Sequence, residues 1–153
     1  MQIQSPKFPN SYNEPFTVKS PATNDYNCIA WAVEITDKSY WPEPTPYSSQ
    51  VWPEDVPLEE TLDAFVKFYE NFGFEKCDNA DYEEEYLKIA IYTKNGVPQH
   101  AARQLNETEW TSKLGANHDV RHTLESMKDG YYGNVSQFMR KRISKFRRRL
   151  IKG

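Results

Sequence analysis

The sequence predicts an α+β domain, with helices segregated from a small antiparallel sheet. Three observations carry that expectation. Leu58, Leu62, Phe65, Val66, Tyr69 and Phe72 recur at helical spacings of three and four, and Gly73 follows as a stop signal. Residues 86–92, Tyr-Leu-Lys-Ile-Ala-Ile-Tyr, have the β-branched and aromatic content of a strand. Asn95-Gly96, just beyond, is a strong hairpin signal.

The elements follow in chain order. Residues 1–23 hold Pro6, Pro9, Pro15 and Pro21 among Ser, Asn and Thr, which reads as an extended arm wrapped on the domain. The α+β domain proper spans 24–139. Asn24 or Asp25 can cap a helix, and the apolar run from Cys28 to Val33 suits a short helix buried on most sides. Repeated proline between 40 and 57 forbids regular structure, so this segment is an ordered loop pinned by Trp41 and Trp52. The clear helix covers 58–72. Strands are expected at 74–77, 86–92, 99–105 and 109–113, and a short helix near 121–127 within a loop over 116–134. Val135, Phe138, Met139, Ile143, Phe146 and Leu150, with the stem of Arg142, mark a C-terminal amphipathic helix whose basic end is 140–153.

Length and charge narrow the class. A chain of 153 residues is a single domain by size. Of 19 basic residues, eight fall between Arg140 and Lys152, which leaves 11 against 22 acids in residues 1–139, a net charge of −11. Bulk basicity as a reason to bind nucleic acid is excluded for the body and stays open for the tail, whose cations suit either a core-packed helix end or an anionic partner. Aromatic residues at 14 % argue against disorder. No apolar run approaches the roughly 20 residues of a membrane-spanning helix. The first residues lack the apolar core of a secretory signal, and Cys28 and Cys77 are too few for a disulfide scaffold. The expectation is a cytoplasmic protein with reduced thiols.

Cys28 is the informative residue. A thiol that opens a helix feels the positive end of the macrodipole, which lowers its pKa. The bland alternative is a buried structural cysteine. His100 lies on the strand after the hairpin, where a base can face a helix packed on the sheet. Together they form the nucleophile–base pair of cysteine hydrolases. His118, Asp119 and His122 fall within five residues, but without the ligand sets of structural or catalytic zinc sites they read as a loop and helix start, and no metal or cofactor is expected. The acids of 78–85 read as a solvated face.

The order of a helix opened by Cys28, a strand bearing His100 and a following strand resembles the papain-like cysteine hydrolases, with the compact NlpC-type peptidases and amidases as the architectural counterpart. The strings Tyr26-Asn27-Cys28-Ile29-Ala30-Trp31-Ala32, His100-Ala101-Ala102-Arg103-Gln104-Leu105 and Trp110-Thr111-Ser112-Lys113-Leu114-Gly115 also resemble an uncharacterised bacterial domain family with those signatures. The resemblance implies a papain-like fold, Cys28 as nucleophile and His100 as general base. Ser112 and Asp119 are the two candidates for the residue that orients the imidazole. An oxyanion hole would join the Cys28 N–H to the amide of Asn24 or Asn27. The implied reaction is acyl transfer from an amide or peptide substrate.

Two other functions fit the same residues. One is a non-catalytic interaction domain, in which Trp31, Trp41, Trp52 and Trp110 are core around the cysteine helix. The other is an effector or immunity-type partner that acts through the basic C-terminal helix. Whether Cys28 lines an open cleft or lies sealed under aromatic rings separates them from the hydrolase.

Overall fold

A computed structural model describes residues 1–43, 50–144 and 147. Strands β1 (Gln2–Ile3) and β2 (Phe16–Ser20) flank a 3-10 turn at Pro9–Tyr12. Helices α1 (Cys28–Ala32) and α2 (Leu62–Glu70) follow, then β3 (Glu75–Cys77), β4 (Tyr86–Lys94), β5 (Val97–Gln104), β6 (Trp110–Lys113), β7 (Asp119–His122), α3 (Leu124–Met127) and β8 (Asn134–Arg142). The strands form one antiparallel sheet in the order β1-β2-β7-β6-β5-β4-β8-β3. This corrects the expected papain-like architecture. The molecule is mostly an eight-stranded sheet carrying three short helices among the described residues, not a helical layer on a small sheet.

The hairpin forms as its sequence requires. Asn95 and Gly96 have φ of 54° and 79°, the paired positive values of a tight β-hairpin turn. Helix α2 starts later than the apolar spacing suggests. The Thr61 hydroxyl accepts from the Ala64 N–H and fixes the first turn, which leaves Leu58 half-exposed outside the helix.

The largest correction is at the C-terminal end. Residues 134–142 are strand β8, paired with β4 and β3, and not a helix. The pairing jumps from Ile91↔Gln137 to Tyr92↔Val135, so Ser136 is an extra residue on β8. Beyond it the alternation resets, and Val135 and Phe138 both pack on the same cluster. A bulged strand thereby acquires the three-residue spacing of a helix. The rest of the expected helix, 145–146 and 148–153, lies outside the described residues.

The expected N-terminal arm is also part of the sheet. Thr17 and Val18 pair with Arg121 and Val120, so β2 is an interior strand. The segment expected as loop and helix, 116–134, supplies its partner β7.

Alternation sorts the sheet into two faces. Leu87, Ile89, Ile91, Ala101 and Met139 face α1 and α2, and with Phe65, Phe68 and Tyr69 they form the larger core. Ala90, Tyr92, Ala102, Trp110 and Val120 point to the other side, where Phe8, Phe16 and Met127 cover them. These are called the helical face and the N-terminal face below. No helix among the described residues is long and apolar enough to cross a membrane.

Candidate functional site

Helix α1 is fixed by its cap. The Asn27 side chain accepts from the N–H groups of Ala30 and Tyr40 and donates to the Tyr40 carbonyl at 2.6 Å. Asn27 thus joins the helix start to the Trp/Pro loop, and its amide is committed there. Asn24 is exposed in the turn before Tyr26.

Cys28 is 7 % exposed and belongs to the helical-face core. Burial pushes its thiol up to about 11, although the backbone N–H groups of Ala101, Cys28 and Ile29 favour the thiolate. A five-residue helix supplies too small a dipole to reverse that desolvation.

His100 lies on the opposite side of the sheet. It pairs across strands with Tyr92, and Ala101, its neighbour in β5, packs beside Cys28. Consecutive strand residues point to opposite faces. The structure therefore does not bring Cys28 and His100 together; the sheet itself separates them.

His100 instead heads a buried polar chain. Its Nε2 is 2.8 Å from Ser112 Oγ, which is 2.7 Å from His122 Nε2, and His122 Nδ1 is 2.8 Å from the Thr123 carbonyl. The carbonyl requires a proton on His122 Nδ1, so His122 Nε2 accepts from the Ser112 hydroxyl. Ser112 then accepts from His100 Nε2–H, which leaves His100 Nδ1 as a buried acceptor with no partner among the described residues. Burial is the main force lowering both imidazoles: His122 to about 4, and His100 well below its ordinary value, with the neighbouring His122 acting in the same direction. Of the two expected orienting residues, Ser112 meets His100. Asp119 does not: it stands opposite Lys113 in the β6–β7 register, on the helical face, and accepts from Ser20 and from the Tyr26 hydroxyl at 3.2 Å. His118 stands before β7 and bonds the Ser20 carbonyl at 3.0 Å, so it shares no helix with His122.

Two residues to which sequence reasoning gave no role, Arg103 and Lys113, organise the helical face together with Trp31. The Arg103 guanidinium lies 4.8 Å from the Trp31 ring centroid and donates to the Trp31 carbonyl near the end of α1. Trp31 stacks on Tyr26, with centroids 5.4 Å apart. Lys113 sits 5.2 Å from the Tyr26 ring. The result is a ladder of cation, two rings and cation. Fully buried, Lys113 donates to the carbonyls of Thr23, Gly115 and Asn117 at 2.5–2.8 Å. The signal was present: Trp31, Arg103 and Lys113 each lie in one of the three signature strings, but at positions that papain-type chemistry does not use.

The N-terminal face carries an open feature. A cleft of about 300 Å³ lies between the N-terminal segment and the turns after β6 and α3. Phe8, Phe16, Tyr131 and Tyr132 form its aromatic walls, with Lys7 and His118 among the polar lining. Tyr132 lies flat on His100, centroids 4.1 Å apart. The buried histidine chain thus supports the floor of the cleft.

No curated protein and no solved structure matches the chain. A family described as a domain of unknown function, DUF7689, matches residues 17–140, from within β2 into β8. The match covers most of the chain and all three signature strings, and the protein belongs to the DUF7689 family.

Proposed function

We propose that this protein is a non-catalytic binding domain that uses the aromatic cleft on its N-terminal face. The placement of Cys28 and His100 on opposite faces supports the reading most directly. Acyl transfer needs nucleophile and base within hydrogen-bond reach of one carbonyl. Here the thiol is sealed in the helical-face core, and the imidazole is tied to Ser112 beneath Tyr132. The cleft, by contrast, is open, aromatic and of a size that small ligands occupy.

Action through a basic helix is the weaker form of this proposal. Residues 140–142 belong to β8, and described arginines of the basic run meet acids of the same chain. Arg140 pairs with Glu75 and Glu83, Arg142 with Glu85, and Arg147 with Glu34. The two unpaired thiols fit the cytoplasm, where we place the protein.

The test is thiol reactivity across pH, read by mass spectrometry after iodoacetamide labelling of the native protein. Cys77, half-buried at the sheet edge, labels first, and Cys28 stays protected through neutral pH. A Cys28 that labels ahead of Cys77 at pH 7 overturns the reading and restores a nucleophile.

A further inference from the structure

The cleft that this binding reading rests on also has a chemical preference, and we propose that it takes a small carboxylate with an aromatic or alkyl body. Its apolar part is rigid before any ligand arrives. Tyr132 is stacked on His100 and set against Phe8 at 5.4 Å, and Phe8 meets Phe16 edge-on at 5.2 Å. Rings already locked by their neighbours lose little freedom when a flat or branched apolar group packs between them.

The polar part has one sign. Lys7 lines the cleft with its ammonium 4.7 Å from the Tyr131 ring, and it has no ion pair among the described residues. Lys88, Arg140 and Arg142 each face a carboxylate of the same chain. Among the described residues no Asp or Glu lines the cleft, so an ammonium ligand would find no counter-charge there. A carboxylate supplies the missing partner of Lys7 and leaves the rings to its apolar body. Among the described residues no arginine lines the cleft, which disfavours a phosphate ester and its two charges. The volume, about ten waters' worth, suits a single-ring acid.

The experiment is an NMR titration of the full ¹⁵N-labelled chain with three phenyl-bearing probes that differ in charge: phenylacetate, its isostere phenylacetamide, and phenethylamine. Phenylacetate is expected to bind about fivefold or more tightly than the amide, with the amine weakest, and to shift the amides of Lys7, Asn117 and Tyr131. In Lys7→Gln the acid and the amide bind equally, while the fold and the apolar contacts remain. Equal binding of acid and amide to the unmodified chain, a preference that survives Lys7→Gln, or shifts confined to other surfaces each overturn the proposal. Thiol labelling is a separate readout: a protected Cys28 with no carboxylate preference defeats only the ligand assignment, whereas a reactive Cys28 defeats the binding reading itself.

Discussion

Tyr132 covers His100 as a parallel plate, with the two ring planes 1° apart. One face of the imidazole is thereby shielded, and Ser112 holds its Nε2 in place. Removing the plate, in Tyr132→Ala, costs the buried ring area and opens a cavity, a loss of about 3 kcal/mol in urea unfolding. Tyr132→Phe keeps the stack and loses much less. The same alanine variant admits water to His100, so its NMR-detected pKa rises toward that of a free histidine.

The histidine chain sets an acid limit on stability. Both imidazoles are neutral in the fold because burial disfavours their charge. An unfolded histidine takes up a proton near pH 6.5, whereas folded His122 does so near pH 4. The unfolded state therefore binds more protons in between. Stability is full above about pH 6.5 and falls as pH drops toward 4, by on the order of 3 kcal/mol for His122 alone. Melting temperature against pH checks this, and His122→Gln flattens the slope in that window.

Lys113→Met tests the buried cation. Three carbonyl oxygens lose their donor and Tyr26 loses the cation beside its ring. The expected loss is on the order of 3–5 kcal/mol, measured by denaturant unfolding. Breaking the exposed Arg142–Glu85 pair by Arg142→Ala serves as the control and barely moves the midpoint.

Two glycines in the left-handed region separate strain from collision. A Cβ at Gly133 would lie 2.0 Å from the Thr93 carbonyl oxygen, whereas one at Gly115 would meet nothing within 4 Å. Gly115→Ala costs about 1 kcal/mol of backbone strain. Gly133→Ala costs at least about twice that, because β4 and the turn before β8 must part.

The sequence made the local features legible and left the long-range ones obscure. The hairpin at Asn95-Gly96, the central strands and the capped helix α2 depend on residues close together in the chain. Strand β2 was missed because its evidence, Phe16 and Val18, becomes meaningful only against β7, about a hundred residues away. Strand β8 was misread because the bulge at Ser136 gives Val135 and Phe138 helical spacing. For the site, the prominence of Cys28 and His100 was visible, but their relation turned on a single step of alternation. With Ala101 beside Cys28, His100 must face away.

The pairing of β2 with β7 also bears on how the chain emerges from the ribosome. Phe16–Ser20 is made about a hundred residues before its partner Asp119–His122. At ordinary synthesis rates the wait is about 5–20 s. Throughout it β2 has no strand partner in β7, and the β4–β5 hairpin can form while one face lacks its N-terminal lining. Distant pairing of this kind slows folding, because loop closure must precede the contacts that reward it. The same arrangement that lets the N-terminal segment wall the cleft keeps that wall open until β7 has been made.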